Sequence, residues 1–245
     1  MPLSGTGSAG SQEQLLQSQR LVVIGEMAAM MAHEIRNPLA GMSLCLRLLR
    51  DHEDDAATRR MCYDDLAEGI RRINDTVTRA LDFSKARPPS PSRCSVARMI
   101  AHAQELAATS LRKSGVEFHT ELPDDLPPIT ADSVHLEQLF VNLILNACKA
   151  MPNGGRVTVR ARAEGGMLHA EVADTGVGIA PDHAERIFDP FTSHFAVGAG
   201  LGLALCRRIV NAHGGTLHVE SHPGTGSTFR IALPLEPPDA SRAAD

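Results

Sequence analysis

Apolar residues recur along the first part of the chain in steps of four, three, four, four, three, four and three. They run through Ile24, Ala28, Met31, Ile35, Leu39, Met42, Leu46 and Leu49. That spacing, close to 3.5 residues, predicts a long amphipathic helix, with helical texture from about residue 11 to 50. The polar run DHEDD at 51–55 breaks it. A second periodic stretch follows through Leu66, Ile70, Ile73, Val77 and Leu81, and stops at ARPPSPS, whose prolines make a linker. Two long helices with a short turn form an antiparallel hairpin. One hairpin has only two layers and cannot enclose its seam. Two hairpins make a four-helix bundle, so a homodimer is expected.

After the linker the period changes. VARMIAHAQELAATSLRKSG predicts a helix closed by Gly115, and residues 132–150 predict another. VEFHTEL alternates like a strand; RVTVRARAE and MLHAEVAD read as a hairpin turned at GG. GLALCRRIVNAHGG is a third helix, and TLHVES and STFRIALPL are strands joined by HPGTG. The expected fold is an α+β sandwich with helices on one face of a mostly antiparallel sheet. The expected organisation is a disordered start at 1–12, a helical hairpin at 13–86, a linker at 87–93, the sandwich at 94–235, and a flexible tail at 236–245.

Composition narrows the function classes. The chain has 245 residues, 43% of them apolar and 22% charged, with a net charge of -5. Those values fit a globular protein of one or two domains and give no electrostatic case for nucleic-acid binding. The longest nearly apolar run, LVVIGEMAAMMA, is too short to span a bilayer and contains Glu26. No signal-peptide pattern opens the chain. The five cysteines are widely spaced and read as buried apolar residues of a reducing, cytoplasmic compartment.

Candidate chemistry begins in the first helix, at MAHEIRNPLAG. His33 lies about 200° round the helix from both Met31 and Ile35, so it points away from the seam. Glu34 is its neighbour, and Asn37 lies one turn on, on the same exposed face. Pro38 cannot donate to the Glu34 carbonyl and crowds that turn, which loosens the backbone beside the histidine. An imidazole near neutrality is a good nucleophile for a phosphoryl group, and an adjacent carboxylate can take its proton. Taken alone, a solvated histidine beside a glutamate is as good a reading.

The second half holds weaker signals. Asn142 and Asn146 share one helix face, with Lys149 beyond them; paired amides and a lysine suit a phosphate and a divalent ion, or a plain polar surface. DTGVGI follows a strand directly. Asp174 there suits an amine such as that of adenine and repels phosphate. Gly198, Gly200 and Gly202 precede a helix, whose exposed N–H groups suit phosphate. There is no GxxxxGK[ST] and no first-strand GxGxxG.

GEMAAMMAHEIRNPLAG closely resembles the phosphoacceptor box of the bacterial two-component sensor histidine kinases, and the later stretches resemble that family's nucleotide boxes in the family's order. The closest resemblance is to the nitrogen-regulation subgroup, with HEIRNPL and FDPF. The resemblance implies a dimerisation hairpin followed by an ATP-binding domain of the histidine kinase, chaperone and topoisomerase type. It implies that His33 takes the γ-phosphoryl of ATP, that Glu34 assists as acid/base, and that Asn37 serves the reverse dephosphorylation of the regulator. Asn142 is then the Mg²⁺ ligand, Asn146 and Lys149 contact nucleotide, and Asp174 reads adenine. Gly176, Gly178, Gly198, Gly200, Leu201, Gly202 and Thr228 complete the ATP site. The implied partners are the receiver domain of a response regulator, a second copy of the chain, and a separate sensory protein unless the chain is the core of a longer one. His194, near where many relatives carry lysine, and Ala199, where serine or threonine is common, depart from the pattern; His135 stands for a frequent arginine and is given no role. A related ATPase without histidine chemistry and a scaffold that only docks a regulator are the alternatives.

Overall fold

The computed structural model describes residues 31–32, 34–51, 55–84, 89–184, 186–190, 192 and 200–236. They form two compact units divided between Asp82 and Phe83. His33, His194, Gly198 and Ala199 lie outside the described residues.

The first unit contains α1 (34–51) and α2 (Ala56–Ser84). Asp55 starts α2 by accepting from the Ala57 N–H at 3.0 Å, which satisfies an orphan donor of the first turn. As α1 advances from Pro38 to Cys45, its neighbours on α2 go back from Gly69 to Asp65, so the helices are antiparallel. Pro38 sits within a continuous helix. A Cβ on Gly69 would lie 2.8 Å from Met42 Cγ, so the missing side chain is what lets the helices approach here.

The interior between these helices differs from the expected seam. Cys45, Cys62, Gly69 and Thr76 are buried, whereas Leu39, Leu46, Ile70 and Val77 are exposed on the single chain. At 100° per residue, Leu39 and Leu46 sit roughly a quarter-turn from the buried line of α1, and Tyr63, Ile70 and Val77 a quarter-turn from that of α2. Because the helices are antiparallel, both offsets fall on one side of the hairpin. A 3.5-residue seam divides its residues between a partner helix and a further layer, which is why half of it stands uncovered here. Ile24 and Ala28 lie outside the described residues.

The second unit runs β1 (Ser92–Cys94), α3 (Val96–Ser114), β2 (Val116–Glu121), β3 (Ile129–Ala131), α4 (Ser133–Ala150), β4 (Gly155–Glu164), β5 (Met167–Asp174), α5 (Pro181–Ala184), α6 (Gly202–Ala212), β6 (Thr216–His222) and β7 (Gly226–Pro234). Its main sheet has the order β2-β4-β5-β7-β6, parallel at β2–β4 and antiparallel elsewhere. The small β1–β3 pair was not expected; three-residue strands are too short to show an alternation.

Alternation sorts the sheet's two faces. Val159, Val172, Phe229 and Val219 are register partners in one row, and Ala161, Ala170, Ile231 and Leu217 in the next. These rows belong to the core that also takes in Ile100, Leu136, Leu139, Phe140, Leu143, Ile144 and Val210 from α3, α4 and α6. Burying each large side chain stabilises the unit by about 1.5–3 kcal/mol. The other face is charged. Glu121, Arg160, Glu171, Arg230 and His218 are successive partners across all five strands. Arg160 donates to Glu121 at 2.7 and 2.9 Å, and Arg230 to Glu171 at 3.0 Å and also to Glu220. Being exposed to water and salt, these pairs contribute little to stability.

Cys45, Cys62, Cys148 and Cys206 are buried and Cys94 half-buried, all as free thiols. Among the described residues no helix is long and apolar enough to cross a membrane.

Candidate functional site

The apolar rows on the helix side of the sheet end in a polar one. Continuing the alternation of Leu168, Ala170 and Val172, β5 closes on Asp174, which is only 8% exposed. Its register partner on β7 is Ser227, also buried, and that residue's partner on β6 is Ser221. Asp174 Oδ1 accepts from the Gly176 N–H at 2.9 Å and the Ser227 N–H at 3.2 Å. Both bonds fall on one oxygen, which fixes the direction of Oδ2. Burial pushes the Asp174 carboxyl above its ordinary value, while those two N–H groups pull it down.

The loop after Asp174 is seated by close contacts. A Cβ on Gly176 would meet the Ala150 carbonyl oxygen at 2.7 Å, so this glycine serves backbone approach to the end of α4. The Val177 N–H donates to the same Ala150 carbonyl at 3.1 Å. Gly178 has φ 69°, and a Cβ there would lie 2.1 Å from the His222 carbonyl oxygen. The loop is thereby wedged between α4 and the β6–β7 turn.

Helix α4 carries the amides. Asn142, Asn146 and Lys149 are half-buried on it. Asn142 Nδ2 is buried and has no hydrogen-bond partner among the described residues, a costly state for an amide unless a bound group completes it. Asn142 Oδ1 faces the start of α6, 3.9 Å from where a Cβ of Gly202 would stand. Gly200 has φ 61°, Leu201 is buried, and among the described residues no side chain caps the first turn of α6. N–H groups at a helix start, beside an orphaned amide N–H₂, fit an anion, and Asn142 Oδ1 is the atom that could meet an associated cation. Ala150 and Asn142 are separated by roughly 12 Å along α4, a length that a nucleoside triphosphate spans from base to terminal phosphates.

Of the motif FDPF, Phe188 is buried and stacks edge-on against Phe229 at 6.3 Å. Arg207 of α6 lies over its ring and pairs with Asp189 at 3.3 Å. On α1, Glu34 is half-buried and Asn37 exposed. A cleft of about 670 Å³ lies elsewhere, among Arg93, Arg98, His102, Glu105 and Glu137, and none of the candidate nucleotide residues lines it.

Thr228 is not brought to this site. It pairs with Ala173 and Glu220, one residue out of step with Asp174, so its side chain stands on the charged face of the sheet. Ser227 takes the inner place. The signal was present in STFRIALPL: Phe229, Ile231 and Leu233 alternate inward, and Ser227 shares their parity.

Comparison with known proteins agrees with both units. Residues 23–89 match the His Kinase A (phospho-acceptor) domain, and residues 131–237 match the histidine kinase-, DNA gyrase B-, and HSP90-like ATPase, a domain of ATP-binding kind. The signal transduction histidine-protein kinase AtoS of Escherichia coli (strain K12) is 34% identical over 95% of this chain and 38% of its own length. The chain spans about a third to a half of the curated relatives it matches. Among solved structures, the histidine kinase ThkA in complex with the response regulator protein TrrA is similar with a TM-score of 0.78 and 26% identity, over 96% of this chain and 69% of that one. Full-length ShkA in complex with AMPPNP is similar with a TM-score of 0.61 and 31% identity, over 86% of this chain and 45% of that one. With a phosphoacceptor domain ahead of an ATPase domain, and these relatives, the chain belongs to the bacterial two-component sensor histidine kinases.

Proposed function

We propose that this chain is an ATP-dependent protein-histidine kinase that phosphorylates itself on His33 and passes the phosphoryl group to an aspartate of a response regulator's receiver domain. The observation that carries it is the pairing, along α4, of an amine-reading corner at Asp174 with an uncapped helix start beside Asn142. A hairpin at 13–86 would supply the histidine and the dimer contacts, a linker at 87–93 would join it to the ATP-binding domain at 94–235, and the exposed side of Leu39, Leu46, Ile70 and Val77 would meet a second copy.

In this reading the Asp174 carboxylate accepts from adenine's exocyclic amine. The first-turn N–H groups of α6, reached through Gly198, Gly200, Leu201 and Gly202, hold phosphate oxygens. Asn146 and Lys149 add a polar wall and positive charge. Asn142, through Oδ1, would hold Mg²⁺, which when bound would neutralise charge on the phosphates. A ring nitrogen of His33 attacks the γ-phosphorus as the bond to the ADP oxygen breaks, and Glu34 takes the imidazole proton. The receiver carboxylate then attacks the same phosphorus and the P–N bond breaks. Asn37, one turn from His33 on the exposed face, orients water against the regulator's acyl phosphate in the reverse direction.

Incubation of the full chain with radiolabelled ATP tests this. Label should enter the chain as an acid-labile, base-stable phosphate and move to a purified receiver domain. Base-labile label, or none, would sink the proposal.

Asp174→Asn separates reading from folding. An amide keeps an acceptor for the Gly176 and Ser227 N–H groups but loses the charge facing the amine. ADP affinity should fall about 10- to 150-fold, the loss of a bond worth roughly 1.5–3 kcal/mol. The nucleotide-free protein should nevertheless melt higher at neutral pH. A carboxyl whose folded pKa is raised contributes stability present at low pH and lost as pH rises through the folded value, so at neutrality its buried charge is a penalty that asparagine removes. Calorimetry and thermal melts read both; unchanged affinity would mean that Asp174 does not touch the base.

A further inference from the structure

A second polar contact set meets the outer end of the row formed by Asp174, Ser227 and Ser221. Ser221 Oγ accepts from the Ile179 N–H at 2.8 Å. It lies 2.9 Å from the Gly226 carbonyl oxygen and 2.9 Å from Ser227 Oγ. A hydroxyl has one proton and two lone pairs. A carbonyl oxygen only accepts, so the Ser221 proton goes to Gly226. One Ser221 lone pair takes the Ile179 N–H. The other faces Ser227 Oγ, and that bond closes only if Ser227 donates. All of Ser221's capacity is then used, as its half-buried position favours. The Ser227 proton is committed to Ser221, and lone pairs are what Ser227 Oγ has left to offer beside Asp174.

We infer that Ser221 is a positioning residue that orients the Ser227 hydroxyl, so that the base-reading corner presents only acceptors and selects a purine with an amino group at C6 over one with an oxo group. The inference rests on the reading of Asp174 as the base contact. An exocyclic amine brings two protons to Asp174 Oδ2 and Ser227 Oγ. An oxo group brings lone pairs against lone pairs, and a site built for a donor rejects a ligand that lacks it. A Ser227 hydroxyl released from Ser221 can turn and donate to that oxo group, and the discrimination falls. Ser221 thus acts on the base without touching it.

The test is calorimetry of the full chain with ADP and IDP, diphosphates that carry no γ-phosphoryl to transfer. The wild type should prefer ADP. Ser221→Ala should lower the ADP-to-IDP affinity ratio by about tenfold, the worth of one hydrogen bond. Ser221→Thr, which keeps the hydroxyl, should retain the wild-type ratio. Ser221→Cys keeps the shape with a weakly bonding thiol, should behave like alanine, and stands in if Ser221→Ala does not fold. A merely structural serine would weaken both ligands alike. Ratios within twofold of wild type in the alanine and cysteine variants, or a threonine variant that falls as far as alanine, would overturn the inference while leaving the Asp174 reading intact. A wild-type chain indifferent to the base would overturn both.

Discussion

His33→Gln should lose all acid-labile label from ATP while binding ADP within about twofold of wild type. Glutamine fills much the same volume and keeps hydrogen bonding, but its amide nitrogen carries no lone pair able to attack phosphorus. Every candidate nucleotide contact falls within the chain segment of the second unit, between Asn142 and Thr228. The binding and phosphorylation losses are therefore expected to part completely, because the histidine belongs to the other unit's chain segment. Mass mapping of the labelled wild type should find the phosphate on the peptide holding His33. Full labelling of the glutamine variant would remove His33 from the mechanism, and a parallel loss of ADP binding would show that the substitution acts through folding.

Gly226→Ala should damage the second unit more than any conservative change within it. The glycine has φ 113°, and a Cβ there would stand 1.9 Å from the Asp174 carbonyl oxygen and 3.0 Å from Thr175 Cα. Both obstacles are backbone, so no side chain can rotate away. The left-handed conformation alone costs an alanine roughly 1–2 kcal/mol, and displacing β5 against β7 adds about 1–3 more. The movement begins at the residue that bears the base-reading carboxylate. Urea unfolding should show a loss of about 3 kcal/mol, and ADP affinity should fall further than in Asp174→Asn. A midpoint within experimental error of wild type would mean that the β5–β7 contact is looser than described.

Much of this was legible in the chain, for identifiable reasons. Strands β4, β5 and β7 were readable because one face is apolar and the other charged over eight to ten residues. Strands β1 and β3 were not, since Cys94 and Ile129 gain their pairing only from chain distant in sequence. Gly176 stands out in the sequence only as part of DTGVGI, whereas the structure requires it for approach to Ala150, a contact that no local pattern encodes. The hairpin's periodicity was plain, yet which of its residues face inward depended on small ones, Cys45, Cys62 and Gly69, that a count of large apolar residues passes over. Asp174 is singled out in the sequence by DTGVGI. The resemblance points to Thr228, whereas strand parity puts Ser227 opposite Asp174.

The row Glu121–Arg160–Glu171–Arg230–His218 has a bearing on how the sheet finds its alignment. A strand that slips by one residue turns its apolar side chains to water, so the core rejects that error strongly. A slip by two residues keeps every apolar side chain inward, and the core alone is nearly blind to it. The charged face is not. Moving β7 by two against β5 sets Arg230 opposite His169 or Ala173 in place of Glu171, and strands the glutamate without its cation. Each misplaced pair is weak, but the same loss applies at β2–β4, where Glu121 pairs with Arg160, and at β5–β7, where Glu171 pairs with Arg230. The solvent face thus acts as a second alphabet, proofreading a misalignment that hydrophobicity cannot spell.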